Sequence, residues 1–350
     1  MRVGAVANSI EHFKYSWPEM ALGLRDNGVE AVFAAGDCGM INEHDSVTKL
    51  DGLTRRPDLR SIRSFKSIRA WIDRENLDCI LVNTAVPATL VRLAAGNRVP
   101  VIYFAHGLHW GSNVSLRALP WQIIEGALTK RTAGAIVLNS DDEVWFKKAA
   151  PLLPTHRLEY GVGVDIEKFR PETLGARKSD DHELSLVWIG EFSRRKQPIR
   201  AIEVVERLKD RGVPAHLRML GDGPLLEQAK STVREKRLSG VVSFEGKTDP
   251  LPHYYDAHAL IHTATWEGYP RVFLEALAVG RRVIAFDAKG TRDLPGVTTV
   301  EKDNVSKMAD LLRLEWRSGD ITLAPDVDRS RLSSFAAGRE IGQFLSKVLG

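Results

Sequence analysis

The stretch from Thr265 to Gly280, TWEGYPRVFLEALAVG, sets two carboxylates, Glu267 and Glu275, on either side of a Gly-Tyr-Pro step. The apolar run just before it, residues 259–264, is short and bounded by polar positions, which predicts a strand. After it, residues 271–279 carry the apolar spacing of a helix. Gly280 is placed to close that helix, and Pro270 is acceptable in its first turn, where no donor is missed. Glu267 then falls in a strand-to-helix loop and Glu275 within the helix. A helix start of this kind directs backbone amides, here those of Gly268, Tyr269, Arg271 and Val272, toward the space beyond the strand end, an arrangement that binds phosphate.

The same alternation runs outward through the 350 residues. RVGAVA near Arg2, VEAVFAA near Val29, DCILVN near Asp78, VPVIYFA near Val99 and AGAIVLN near Ala133 are strand candidates. Helical stretches separate them, such as WPEMALGLRDNG with Gly28 at its C-cap. The pattern restarts after a polar, Gly- and Pro-bearing stretch around 161–179 with SLVWIG, AHLRMLG, VVSFEG, ALIHTA and RRVIAF. Strand alternating with helix means a parallel doubly wound sheet, and two rounds of it predict an α/β chain of two Rossmann-like domains. The first is expected over 1–165, joined by a C-terminal amphipathic helix at about 333–350, and the second over 166–332. Ligands of such sheets bind beyond the carboxyl ends of the strands, so the expected ligand site is a central cleft between the domains.

Composition narrows the class without naming a substrate. The chain is 43% hydrophobic and 27% charged, ordinary for a globular protein. A net charge of +4 suits an anionic partner such as the phosphates of a small molecule or lipid, and does not single out nucleic acid. Cys38 and Cys79 are far apart and lack metal-ligand spacing, so no metal site or disulfide framework is expected. The first residues lack a charged leader, and no segment runs apolar for the length of a membrane span, which predicts a cytoplasmic protein or one peripheral to a membrane.

The frame E-G-x-P-x-x-x-L-E-A-x-A-x-G around Glu267 and Glu275 resembles the signature of family 4 retaining, nucleotide-sugar-dependent glycosyltransferases of the GT-B fold. YGVGVDIEKFRP (160–171), LGDGP (220–224) and WIGEFSRRKQ (188–197) are similar to that family's interdomain, second-domain and phosphate-binding segments. AHGLHWG (105–111) and AKGTRDLP (288–295) look most like its bacterial exopolysaccharide, capsule and O-antigen enzymes. The likeness runs from about 102 to 295.

The resemblance implies a role for each matching residue. Glu275 would accept from the ribose hydroxyls, and Glu267 would orient the donor sugar and stabilise positive charge at its anomeric carbon. Lys196, assisted by Arg195 and Arg194, would hold the departing diphosphate, since the family uses no divalent metal. His106 would reach the donor phosphate or a sugar hydroxyl from the first domain. The backbone of Gly246, Lys247 and Thr248 would meet the base. No protein nucleophile is assigned, and no cofactor. The implied donor is a nucleotide-sugar, with UDP favoured, and the implied acceptor a glycan or polyprenyl-diphosphate-linked saccharide.

Two positions depart from the family. Gly190-Glu191 stands where Gly-Arg is frequent, and Asn8-Ser9 where a glycine pair often approaches the phosphate. These leave a second class open, a non-catalytic sugar-nucleotide-binding partner of another transferase. A nucleotide-sugar epimerase or a transferase acting on a small metabolite would also use this fold, whereas a nicotinamide dehydrogenase lacks its G-x-G-x-x-G.

Structural readings stand beside the chemical ones. His109, His258 and His262 are read as structural. Glu275 can pair with Arg271 across one helical turn, and Arg194, Arg195 and Lys196 can form a solvated charge run. Arg60, Arg63, Lys66 and Arg69 lie beside Ile62, Phe65, Ile68 and Ile72 at helical spacing, which fits either a helix resting on an anionic membrane surface or an ordinary amphipathic helix packed on the sheet.

Overall fold

The computed structural model describes residues 1–42, 45–54, 61–110, 118–171, 182–322 and 326–350, with the side chains of 61 and 62 excepted. The chain folds as two units, Met1–Asp165 with Ser330–Gly350, and Ile166–Arg329.

Unit 1 alternates strand and helix. In chain order it has β1 (Arg2–Val6), α1 (Trp17–Asp26), β2 (Glu30–Ala35), β3 (Gly39–Met40), β4 (Ser46–Lys49), α2 (Ser61–Glu75) and β5 (Cys79–Asn83). There follow α3 (Ala85–Ala95), β6 (Val101–Ala105), α4 (Leu119–Leu128), β7 (Gly134–Val137), α5 (Ser140–Ala149) and β8 (Thr155–Arg157). The sheet order is β3-β4-β2-β1-β5-β6-β7-β8, parallel except for the β3/β4 pair. The central strands β5, β6 and β7 are buried at every position, as expected of strands covered on both faces. Trp71, Tyr103, Trp145 and Phe146 fill the core beside them.

Unit 2 repeats the plan with β9 (Leu184–Ile189), α6 (Pro198–Asp210), β10 (Ala215–Leu220), α7 (Leu226–Glu235), β11 (Val242–Gly246) and α8 (Leu251–Asp256). It continues with β12 (Ala259–His262), α9 (Arg271–Ala278), β13 (Arg282–Phe286), β14 (Val297–Val300) and α10 (Val305–Ser318). Its parallel sheet runs β11-β10-β9-β12-β13-β14, so the direction of winding reverses between the adjacent strands β9 and β12. Loops leaving two such strands part company and leave a crevice, where open α/β sheets bind their ligands.

The chain then returns to unit 1 as α11 (Ser334–Leu349), which packs along α1. The approach requires glycine. A Cβ on Gly338 would overlap the Met20 carbonyl oxygen, and one on Gly23 the Phe335 carbonyl oxygen. Asn27 Nδ2 adds a 3.1 Å hydrogen bond to the Arg339 carbonyl, and Arg339 pairs with Asp26 at 3.0 Å.

Several details differ from the sequence expectations. Strand β12 ends at His262 rather than 264, and α9 ends at Ala278, with Gly280 at φ +77 just beyond it. Pro270 is the N-cap of α9, in extended backbone, so Arg271 is the first helical residue. Strands β3, β4, β8 and β14 add to the strands expected from sequence. On α2, Ile68 and Ile72 are buried and Phe65 packs against the core, while Arg63 and Lys66 are exposed. Arg69 donates to the Ala94 carbonyl at 3.2 Å, so the apolar residues described on this helix face the domain interior. Arg60 lies outside the described residues.

Candidate functional site

In unit 2 the loops after β9 and β12 meet at the switch point. The Thr265 amide donates to the Arg195 carbonyl at 2.8 Å, and the Thr263 hydroxyl to the Lys196 and Gln197 carbonyls at 3.1 and 2.9 Å. Trp188 Nε1 in turn donates to Thr263 Oγ1 at 3.2 Å, tying this junction to the core. Gln197 adopts left-handed backbone, φ +53, at the N-cap of α6, which turns the chain sharply just after Lys196.

Around Glu267 this brings together three donors. Arg195 Nη1 lies 2.6 Å from Oε2, while Lys196 Nζ and His262 Nε2 lie 2.5 and 3.1 Å from Oε1. Glu267 is 5% exposed and His262 1%. Burial alone would push the Glu267 carboxyl up; the hydrogen bond from His262 and the Lys196 ammonium outweigh it and hold the group down at about 2. Burial lowers His262, which keeps the imidazole neutral, and because an ionised carboxylate only accepts, the ring proton sits on Nε2. Burial also lowers the Lys196 ammonium, against the pull of Glu267. Behind Glu267, its amide donates to the Lys289 carbonyl at 2.9 Å, and a Cβ on Gly290 (φ +77) would overlap its carbonyl oxygen. The AKGTRDLP segment therefore braces this loop.

The structure brings Glu267, Lys196 and Arg195 together and adds His262, which was read as structural, as a third hydrogen-bond partner of Glu267. In the sequence that residue is one polar position inside an apolar strand; its place at the strand's end is the available signal. His258 keeps its structural part, accepting from the Ser185 amide at Nδ1 over 2.9 Å. Arg194 is exposed and joins no ion pair among the described residues, apart from the three-donor cluster.

Glu275 is 7% exposed and faces Tyr254, whose hydroxyl donates to Oε2 at 2.9 Å; Arg271 Nη2 stands 3.7 Å from Oε1. Burial raises the Glu275 carboxyl above its usual range. Tyr254, on α8, joins the candidate site through Glu275; the sequence shows no sign of this, since β12 separates its helix from that of Glu275. Its hydroxyl also donates to the Val272 carbonyl at 3.2 Å, within the first turn of α9 beyond Gly268, Tyr269 and Pro270.

A pocket of about 480 Å³ opens beside Lys196, lined by 189–191, 220–223 and 246–248, so Gly246, Lys247 and Thr248 share a cavity with Gly190 and Glu191. Gly221, at φ +131, permits it: a Cβ there would overlap the Gly190 carbonyl oxygen. Among the described residues no group of three His, Cys, Asp or Glu side chains is placed to ligate a metal ion.

Unit 1 carries its own cluster at the carboxyl ends of β5 and β6. His106 Nε2 lies 2.9 Å from Asn83 Oδ1, while Asn83 Nδ2 donates to the Val6 carbonyl at 3.1 Å. That fixes the proton on His106 Nε2. The His12 ring meets His106 edge to face, with centroids 4.7 Å apart, and burial lowers both imidazoles. Nothing in the sequence singles out His12. Ser9 hydrogen-bonds Asp37 at 2.9 Å and caps the short turn after it, so its side chain is committed locally; Asn8 is half-buried next to it.

Two parallel α/β units of this kind form the GT-B fold, and the sequence carries the glycosyltransferase domains that go with it. The family model for glycosyl transferases group 1 matches residues 170–312, and that for glycosyltransferase family 4 matches 17–144. The chain belongs to these family 4, group 1 glycosyltransferases. It is 25% identical over 187 residues to WcaL of Escherichia coli (strain K12), a glycosyltransferase named for colanic acid biosynthesis. It is 28% identical over 139 residues to a Bacillus subtilis (strain 168) glycosyltransferase named EpsF. These alignments take in 49% and 36% of this chain but only 44% and 35% of the relatives. Among solved structures, HepE of Anabaena in complex with UDP superposes over 99% of this chain and 100% of its own, with a TM-score of 0.78 at 16% identity. The lipopolysaccharide outer core galactosyltransferase WaaB in its apo form covers the same shares with a TM-score of 0.72 at 12% identity.

Proposed function

We propose that the protein is a retaining, metal-independent glycosyltransferase that moves a sugar from a nucleotide-diphosphate donor, a UDP-sugar, to a hydroxyl of a glycan acceptor in surface polysaccharide biosynthesis. The observation that carries this is the convergence of Lys196, Arg195 and His262 on Glu267 beside the glycine-built pocket. In that pocket the base would meet residues 246–248, and the ribose would exchange hydrogen bonds with Glu275. The diphosphate would draw Lys196 and Arg195 part-way from Glu267, and Glu267 would then face the anomeric carbon as positive charge builds. The bond from that carbon to the phosphate oxygen breaks, the bond to the acceptor oxygen forms on the same face, and the acceptor's proton passes to the leaving phosphate. Nucleoside diphosphate and glycoside are the products, and His106 would hold a donor hydroxyl or phosphate from unit 1.

A relative named for colanic acid biosynthesis supports the polysaccharide setting; within it our reading takes a lipid-linked saccharide of the polyprenyl-diphosphate kind as acceptor, at the cytoplasmic face of the membrane. No described helix is long and apolar enough to cross a membrane. Thermal stabilisation by UDP-, GDP- and ADP-sugars, compared between the parent and Glu275→Ala, tests the donor site, because a ligand that binds only the folded state raises its stability. A shift with the UDP series that shrinks in the variant is expected. No shift with any series, in a protein that melts cooperatively, would remove the reading.

A further inference from the structure

Helix α4, LPWQIIEGAL, is built with its polar side inward. Gln122 and Glu125 are 8% and 6% exposed, while Leu119, Trp121, Ile123 and Ile124 are 38, 58, 62 and 44% exposed. Leu119, Ile123 and Ala127 follow one another at four-residue spacing, with Pro120 and Ile124 alongside, so the outward stripe is continuous.

The cause lies across the interface with α3. Arg92 is fully buried, and its two Nη atoms fork onto the Glu125 carboxylate at 2.5 and 2.9 Å. Its Nε donates to the Ala88 carbonyl at 2.9 Å, and its guanidinium stacks 4.6 Å over the Tyr103 ring. Turning α4 over to bury its isoleucines would strand this charge in the interior, so the ion pair fixes which face looks out.

Immediately after the helix come Lys130 and Arg131, both exposed and neither in an ion pair among the described residues. The helix's one acidic residue is the buried Glu125. Its outward stripe is therefore apolar and is bounded at its C-terminal end by cations. Acyl chains under anionic headgroups complement that arrangement. A second copy of the chain complements it poorly. A stable protein interface takes roughly 20–30 residues a side, more than this one helix face supplies. Helix α2 offers cations alone, because Ile68 and Ile72 are turned into the core.

We propose that α4 docks unit 1 on an anionic lipid bilayer, with Leu119, Ile123 and Ile124 at headgroup depth and Lys130 and Arg131 on the lipid phosphates. The inference stands independently of the transfer reaction.

Cosedimentation of the full chain with phosphatidylcholine vesicles, and with vesicles of phosphatidylcholine and phosphatidylglycerol in equal parts, tests it. The parent is expected to partition onto the mixed vesicles. Ile123→Ser/Ile124→Ser should lower the partition coefficient by about tenfold or more. Lys130→Gln/Arg131→Gln should lower it several-fold on the mixed vesicles only, with the difference lost at high salt. Arg63→Gln/Lys66→Gln should bind as the parent does. All these positions are exposed, and melting curves matched to the parent would verify folding. A parent that binds neither vesicle, an Ile123→Ser/Ile124→Ser variant that binds unchanged, or a parent dimer dissolved by that variant without any vesicle binding would each overturn the proposal.

Discussion

His262 and Glu267 are joined by a 3.1 Å hydrogen bond from the imidazole Nε2 to Oε1, formed where β12 ends and its loop folds back past the strand's last residue. The other two partners of Glu267 are cations that a bound diphosphate would compete for. The neutral imidazole carries no charge for a phosphate to attract, and it stays with the carboxylate.

Replacing His262 by Leu should therefore cost turnover more than donor affinity. Initial rates are expected to show kcat reduced on the order of tenfold or more, with KM for the donor changed much less. His262→Gln, which can offer an amide donor from a similar position, should recover part of the loss. Equal effects of Leu and Gln would point to packing against Phe273, whose ring meets His262 edge to face.

The ionised Glu267 also writes a pH dependence into stability. Its carboxyl is held at about 2 in the folded protein against an ordinary value of 4.5, so the stabilisation is complete above pH 4.5 and disappears as pH falls toward 2. Thermal midpoints of the parent and Glu267→Gln, followed down that range, should converge, with the parent more stable at neutral pH. Midpoints that stay parallel from 4.5 to 2 would contradict the ion-pair account.

Tyr254→Phe removes the 2.9 Å hydrogen bond to Glu275 and leaves that buried carboxylate with Arg271 at 3.7 Å. Urea denaturation should register a loss of about 1–3 kcal/mol. The thermal shift produced by UDP should shrink but survive, whereas Glu275→Ala should abolish most of it.

Arg92 and Glu125 should respond very unequally to single and double substitution. Glu125→Leu or Arg92→Met alone leaves an unmatched charge in the interior and should cost about 3–5 kcal/mol, while Arg92→Met/Glu125→Leu together should recover much of it. Denaturant midpoints of the three variants form a cycle, and additive losses would show that the two side chains act separately.

What could be read from sequence follows burial. Strands β5, β6, β7 and β9 lie inside their sheets and are covered on both faces, so they appear as unbroken apolar runs. Strands β14 and β8 are at sheet edges, four and three residues long and half-open to water, and VTTV and THR carry no such signal. Glu267, Glu275 and Lys196 were legible because glycines and prolines around them mark the loops they sit in. His262, Tyr254 and His12 were not, because their roles depend on partners that only the fold brings near. The outward face of α4 was hidden for the same reason: its orientation is set by an arginine 33 residues earlier.

The return of the chain to unit 1 puts the order of synthesis out of step with the order of completion. Unit 2 has all its residues once Arg329 is made, while unit 1, begun first, still waits for the helix that covers α1. A chain halted there would pair a finished second half with a first half whose inner helix face is bare, the kind of surface that chaperones hold and proteases find. The half that is begun first is therefore the last to receive all of its parts.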